Sequence, residues 1–179
     1  METTVKMMRR LFPAYKKIGM IWNPSEKNSE ICTKMARDAA KKFGFTLIEK
    51  TVSTTNDVED ALNSLLNEKI DLFLTSGDIV VQVAVPTIAP KLAKNKIPYF
   101  TNNPADISSG AFIALGANYH DVGIAGARLL ERVMKGEQTG KIPIVKYVPE
   151  QYGLNLKLAA QMNIRVPEDV IKGAVKVIR

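Results

Sequence analysis

The chain has 179 residues, 46% of them hydrophobic and 24% charged, and carries a formal net charge of +7. This composition is typical of one globular domain with a sizeable core, and no apolar run is long enough to span a bilayer. The basic residues are scattered and do not form a stripe with interleaved aromatic side chains, which argues against a nucleic-acid-binding protein.

The first residues, METTVKMMRRLFPAYKK, lack the apolar segment of a secretion signal, and we therefore do not assign them as one. The single cysteine, Cys32, excludes an internal disulfide and a cysteine-based zinc site. Its neighbours at helical spacing are apolar, which favours a buried structural thiol over a reactive one.

Apolar runs typical of strands alternate with helical patterns along the chain. Pro86 and Pro90 are expected to kink or split one predicted helix, because proline removes a hydrogen bond from a helix interior. The alternation indicates βαβ units and an α/β fold, with a three-layer parallel sheet flanked by helices. Strands are predicted over residues 17–22, 46–52, 70–75, 97–101, 111–115 and 142–148, and helices over 29–43, 57–67, 79–93, 119–135, 153–162 and 167–177.

Polar loops follow the first, third and fourth predicted strands, and in a parallel sheet these loops meet at one edge, where ligands bind. Asp78 would hold an ammonium group, Gly77 would let the backbone come close, and two helix starts would suit a carboxylate. Each such residue can equally cap a helix or form a turn. The prediction of a ligand site therefore rests on the clustering of three polar loops at one edge. The predicted ligand-binding residues are Asn23, Ser25, Glu26, Asn28, Ser29, Ser76, Gly77, Asp78, Thr101, Asn102 and Asn103.

The sequence contains few features that are typical of a catalytic site. The only histidine, His120, is expected to be an exposed residue at a helix start, because no serine or cysteine motif accompanies it. The chain has neither a G-x-x-x-x-G-K-[ST] nor a G-x-G-x-x-G motif. We therefore predict a protein that is not an enzyme and that uses no cofactor or metal. Trp22 is expected to be a core residue and not a platform for a ligand.

Four stretches of the sequence resemble the ABC-transporter substrate-binding family that includes tryptophan- and other aromatic amino-acid-binding members. The combinations NPSE-x-NS and N-L-K-x-A-x(4)-I-x-[IV]-P are the most specific. Where family members often have a Thr-Asp-Asn-like triplet, this chain has Gly77-Asp78-Ile79 and keeps only the acid. The stretches are KKIGMIWNPSEKNSE (16–30), IDLFLTSGDIVV (70–81), KNKIPYFTNNPADISSGAFIALGANYHDVGIAGARLLERVMKGE (94–137) and the ending from residue 142 to residue 178.

This resemblance implies one lobe of a type I periplasmic-binding-protein fold, in which two α/β lobes joined by a hinge clamp a small molecule for import. The chain would supply the C-terminal lobe (1–118), a crossover helix belonging to the N-terminal lobe (119–136), and a return strand with C-terminal helices (137–179). The full-length protein would be periplasmic, or extracellular and membrane-anchored, and would deliver an amino acid or a related zwitterion or anion to an ABC transporter permease. The alternative is a cytosolic, non-enzymatic ligand-sensing regulatory domain of the same fold.

Two further expectations follow from a missing first lobe. Half of the clamp would be absent, so the isolated chain should bind its ligand weakly. The predicted helix over 119–135 carries Val122, Ala125, Leu129 and Val133 as one apolar stripe. Without its partner lobe, this stripe should lead to self-association, as in a homodimer.

Overall fold

Strands and helices alternate through the first two thirds of the chain in the computed structural model, which describes residues 1–144 and 150–179. Short 3₁₀ turns cover Thr55–Asp57, Pro104–Ser109 and Thr139–Lys141. The strands are β1 (Lys17–Trp22), β2 (Thr46–Thr51), β3 (Leu72–Thr75), β4 (Tyr99–Thr101), β5 (Ile113–Ala117), β6 (Glu150–Asn155) and β7 (Lys176–Ile178). The helices are α1 (Glu2–Leu11), α2 (Lys27–Lys42), α3 (Val58–Asn67), α4 (Ile79–Lys94), α5 (Tyr119–Met134), α6 (Leu156–Met162) and α7 (Glu168–Gly173).

The strands form one seven-stranded sheet in the order β2-β1-β3-β4-β5-β6-β7. The first five strands are parallel, so their carboxyl ends share one edge. Strand β6 runs antiparallel to β5, with Ala117 opposite Glu150, and β7 runs parallel to β6. The predicted α/β class is confirmed, with the refinement that the sheet is mostly parallel.

Each face of the sheet has its own hydrophobic core. Along β3, Leu72 and Leu74 lie in one core and Phe73 in the other, as the two-residue period of a strand requires. Helices α1 and α2 cover the first face, where Phe100 and Phe112 pack edge to face. Helices α3 and α4 cover the second face. This arrangement gives the three predicted layers.

Helix α4 runs unbroken from Ile79 to Lys94, so the expectation that proline splits it is wrong. Pro86 and Pro90 both lie on its exposed side. On the exposed side of a helix, water can satisfy the carbonyl groups that proline leaves without a donor, so the helix need not end there.

The remaining differences lie near the two ends of the chain. Helix α1 was not predicted, although its buried Val5 and Met8 follow helical spacing. The predicted helix over 153–162 begins only at Leu156, because residues 153–155 belong to β6. The predicted helix over 167–177 ends at Gly173, and β7 follows it. Of the strand predicted over 142–148, residues 142–144 are not in a strand and the remainder lies outside the described residues.

Helix α5 differs from the others, since none of its residues is buried. Its exposed apolar side chains include Leu129, Leu130 and Met134, and the last is 80% exposed. Within the described ranges, no helix is both long and apolar enough to cross a membrane.

Candidate functional site

Three polar loops meet at the carboxyl edge of β1, β3 and β4, which are neighbours in the sheet. These are the loops in which the sequence analysis placed the ligand-binding residues. Each loop leaves a buried strand and leads into a helix or a 3₁₀ turn, so polar groups gather where the sheet ends. The first loop begins at Asn23, the second at Ser76 and the third at Asn102.

Asp78 joins the first two loops from below. Its side chain is fully buried, and one carboxylate oxygen accepts hydrogen bonds from the backbone N–H of Asn23 at 2.5 Å and from Ser29 Oγ at 2.7 Å. The other oxygen caps α4 by accepting from the backbone N–H of Val81 at 3.0 Å. In this structure, the carboxylate therefore fixes the two loops relative to each other and is not exposed at the surface.

Glu26 lies above Asp78 and is only half-buried. Its Oε2 accepts from the backbone N–H of Ile79 at 3.2 Å, and its Oε1 lies 3.4 Å from Asn23 Nδ2. Together, Glu26 and Asp78 place two carboxylates on the first turn of α4. The positive end of that helix is thereby already paired with negative charge.

The start of α2 lacks a capping hydrogen bond, and the acid of its first turn, Glu30, pairs with Lys27 at 2.7 Å. Glu26 occupies its N-cap position, but its side chain makes no capping hydrogen bond there. The exposed Asn28 side chain instead reaches across to the second loop and donates to the carbonyl of Gly77 at 3.2 Å. Ser25, also exposed, donates its backbone N–H to Asn23 Oδ1 at 2.9 Å, which holds the turn. The first turn of α2 thus offers N–H groups and a partial positive charge at the edge.

Two polar atoms at the edge have no partner within the described residues. Ser76 Oγ and Asn102 Oδ1 are buried and make no hydrogen bond there. Buried polar groups are almost always paired, and an exception calls for a specific explanation. The Asn102 backbone packs closely on β5, since a Cβ atom at Gly116 would lie 2.1 Å from the Asn102 carbonyl oxygen.

The third loop is held from beneath by Asp106, which sequence reasoning missed. Thr101 Oγ1 and Asn103 Nδ2 each donate to the Asp106 carboxylate at 2.9 Å. Burial raises the pKa of the Asp106 carboxyl, and the hydrogen bonds from Thr101 and Tyr99 oppose that shift. The pattern Asn103-Pro104-x-Asp106, an N-cap residue with proline next and an acid three positions on, was the available signal.

Three other residues discussed in the sequence analysis differ in how far their side chains are exposed. Trp22 is 8% exposed and lies in the core, as predicted. The prediction that Cys32 is buried is wrong, since it is partly exposed and its Sγ lies 3.9 Å from Asn102 Nδ2. The His120 side chain is 81% exposed on the first turn of α5. Over residues 1–144 and 150–179, no group of three or more His, Cys, Asp or Glu residues is arranged to hold a metal.

A cavity of about 180 Å³ lies beside the third loop, between Asn102, Glu150 and the exposed Tyr119. It marks the place where the chain leaves β5 for α5 and returns to β6. The edge of the sheet is therefore continuous with the junction to α5.

The sequence from residue 1 to residue 178 matches the family model described as ABC transporter substrate binding protein. A tyrosine-binding protein of Clostridioides difficile (strain R20291) is 34% identical over 143 residues, which cover 80% of this chain and 41% of that protein.

Two solved structures share the fold. The ABC domain in complex with L-Trp from Streptococcus pneumonia is 25% identical, with a TM-score of 0.84, over 99% of this chain and 60% of that chain. A conserved domain protein from Vibrio cholerae is 26% identical, with a TM-score of 0.85, over 98% of this chain and 59% of that chain. This chain thus spans between 41% and 60% of the length of these three relatives.

Proposed function

This chain belongs to the ABC transporter substrate-binding protein family, as its motifs predicted, and from that premise we propose that it is the second lobe of a two-lobe amino-acid-binding protein. One observation carries the proposal. At the carboxyl edge, the start of α2 is uncapped, whereas two carboxylates cover the start of α4. A region suited to an anion therefore lies beside a region suited to a cation, and this is the charge pattern of a zwitterion.

The ligand carboxylate binds at the first turn of α2. The N–H groups of that turn and the helix dipole favour an anion there. The exposed side chains of Ser25 and Asn28 flank the turn and add hydrogen-bond donors. Asn23 and Ser29, both buried, hold the turn in place through their bonds to Asp78.

The ligand ammonium binds beside the acidic pair. Glu26 is half-buried and near the surface, so it makes the direct contact, and Asp78 adds its charge from directly below. The exposed backbone of Gly77 lets the ligand approach closely. Two negative charges at a partly desolvated site favour a cation more strongly than one does.

The aromatic amino acids are the first candidates, because the relatives include a protein named for tyrosine and one solved with L-Trp. Ser76 Oγ and Asn102 Oδ1, which lack partners in the described chain, supply polar contacts to the ligand. Thr101 and Asn103 point their hydrogen-bonding atoms inward and support this third loop. Ile79, 67% exposed at the start of α4, offers an apolar surface.

Helix α5 packs against a first lobe that is not contained in this chain. Its 16 residues have no buried side chain, although the helix carries an apolar stripe. Residues 1–118 form the ligand-holding lobe, residues 119–136 cross to the first lobe, and residues 137–179 return. The two-lobe protein lies in the periplasm, or outside the cell on a membrane anchor, and delivers its ligand to an ABC transporter permease.

Titration of the isolated chain with L-tyrosine, followed by the backbone NMR signals, tests the proposal. We expect weak binding, since one jaw of the clamp is absent, with shifts concentrated at Asn28, Gly77 and Asn102. Tyramine lacks the carboxylate and N-acetyl-L-tyrosine lacks the ammonium. Each should bind at least about tenfold more weakly than L-tyrosine, because it leaves one charged region unpaired.

Glu26→Gln should weaken L-tyrosine binding. The matched control Glu68→Gln, an exposed residue just after α3, should leave it unchanged. Equal shifts with all three compounds, or shifts confined to residues away from the carboxyl edge, would overturn the proposal.

A further inference from the structure

We propose that Asp106 is a positioning residue for ligand binding, which fixes the second and third loops of the site relative to each other without touching the ligand. This inference rests on the proposed function, since it concerns the same edge of the sheet. Asp106 is 5% exposed and lies in the 3₁₀ turn after the third loop, beneath the surface that the ligand would reach.

On the β4 side, the Asp106 carboxylate holds both ends of the third loop. Thr101 is the last residue of β4 and donates its hydroxyl to Asp106 Oδ2 at 2.9 Å. Asn103 donates its side-chain amide to Oδ1 at 2.9 Å, and its backbone N–H donates to Thr101 Oγ1 at 3.1 Å. Asn102 lies between these two anchored residues, so its orientation follows from theirs.

On the β3 side, the link runs through a buried phenol. Tyr99 Oη donates to Asp106 Oδ2 at 3.2 Å and lies 2.8 Å from Thr75 Oγ1. Thr75 is the last residue of β3 and directly precedes Ser76. The chain of contacts Thr75–Tyr99–Asp106–Thr101 therefore joins the ends of two neighbouring strands at the points where their site loops begin.

Capping of the 3₁₀ turn does not account for this arrangement. A capping role explains the contact between Asp106 and Asn103, the N-cap residue. It does not explain why Thr101 and Tyr99 also turn their hydroxyl groups to the same carboxylate oxygen. Three donors on one buried acid are the arrangement expected where a carboxylate organises its surroundings.

Asp78 has the matching role at the preceding strand, since it joins the first loop to the second. Asp106 joins the second loop to the third. Two buried carboxylates thus connect all three loops of the edge in series. A change at either one should be felt at a loop that it does not itself contact.

The test compares Asp106→Ala, Asp106→Asn and Tyr99→Phe with the wild-type chain, and Asp60→Asn, an exposed acid on α3, is the matched control. The first readout needs no ligand. It is the hydrogen exchange of backbone amides in the second loop (76–78) and the third loop (102–103). The second readout is the dissociation constant for L-tyrosine from the same NMR titration.

We expect Asp106→Ala to speed exchange in both loops and to weaken L-tyrosine binding at least tenfold. Asp106→Asn should cause smaller changes than Asp106→Ala in both the exchange rates and the dissociation constant, because it keeps one acceptor. Tyr99→Phe removes only the hydroxyl and should affect the second loop more than the third, and it remains informative if Asp106→Ala does not fold. Asp60→Asn should change neither readout.

The inference is overturned if exchange changes only within the 3₁₀ turn, or if Asp106→Ala binds L-tyrosine as tightly as the wild type. If L-tyrosine does not bind the wild-type chain, the proposed ligand class fails, and the exchange of the two loops still decides whether Asp106 couples them.

Discussion

Helices α2, α4 and α5 have the same length, 16 residues each, but they differ in how much of their surface is buried. The first two bury one side against the sheet, while α5 buries no residue. Helix α5 nevertheless carries an apolar stripe, as a packed helix does. The contrast teaches that an amphipathic pattern predicts a helix but does not by itself predict that the helix is buried in the described part of the same chain.

The sharpest test of this contrast compares one substitution in the two regions. Leu62 of α3 is fully buried, so Leu62→Ala should lower the free energy of unfolding by about 2–5 kcal/mol through lost burial and a cavity. Leu130 of α5 is 60% exposed, so Leu130→Ala should stay within about 0.5 kcal/mol. Urea unfolding measures both values. Similar losses at the two positions would mean that α5 is packed in solution.

A second comparison concerns two acids at helix starts. Asp78 is buried and bonded to two loops, and loss of one member of a buried charged network costs about 2–5 kcal/mol. Asp78→Ala, made in the proposed two-lobe protein, should therefore weaken ligand binding by well over tenfold. Asp121→Ala, in the first turn of α5, should change the affinity little, since among the described residues its side chain bonds to its neighbours Asn118 and His120. Calorimetry decides, and an unchanged affinity in Asp78→Ala would limit Asp78 to capping α4.

The third prediction concerns what covers the apolar stripe of α5 in the isolated chain. Each large apolar side chain left in water forfeits about 1.5–3 kcal/mol of burial, so we expect the isolated chain to pair through α5. Sedimentation across a concentration series should show a monomer–dimer equilibrium. Leu129→Glu, within the stripe, should shift that equilibrium towards monomer, whereas Val83→Glu, an exposed residue of α4, should not. A strict monomer at every concentration would contradict the prediction.

The smallest expected effect is a difference in how Asp106, beneath the site, and Glu137, beside α5, contribute to stability as the pH changes. Burial raises the pKa of Asp106 above 3.8, so its contribution to stability is full below that pH and is lost as the pH rises through the raised pKa. A hydrogen bond from Arg132 lowers the pKa of Glu137, just beyond α5, below 4.5. That contribution has the opposite sign: it is present above the unfolded value and is lost as the pH falls through the lowered pKa.

Urea unfolding of Asp106→Asn and Glu137→Gln, from about pH 3 to pH 7, measures how the free energy of unfolding changes with pH in each variant. Relative to the wild type, Asp106→Asn should gain stability as the pH rises and Glu137→Gln should lose it. The Glu137 effect should be the weaker of the two and should shrink in high salt, because that pair is exposed. Parallel slopes for the two variants would contradict the assignment.

Much of the fold was predictable because local pattern and tertiary structure agree. Strand β1 covers the predicted residues 17–22, and the strands that leave polar loops at one edge were all assigned. The errors fall where non-local contacts decide. Residues 153–155 continue a helical pattern, yet pairing with β5 makes them a strand. Helix α1 was not predicted, although Val5 and Met8 carry a helical pattern, because its buried side is short and is completed by contacts with the rest of the first core.

The candidate site was predictable as a group of loops, because parallel strands bring their carboxyl ends together. The roles within it were not. Sequence alone does not tell that Asp78 lies below the surface while Glu26 lies near it, since both are acids in polar loops. Asp106 lies outside those loops in sequence and reaches them through Tyr99, Thr101 and Asn103.

The pairing of Ala117 with Glu150 has a consequence for how the chain can be rebuilt. These two residues face each other on antiparallel strands, at the end of β5 and the start of β6. Such strands can be joined by a hairpin turn of two residues. Replacing residues 118–149 with an Asn-Gly turn would remove α5 and no buried helix residue, since that helix buries none. The excision would yield a smaller domain that keeps the seven described strands and the three loops at their carboxyl edge.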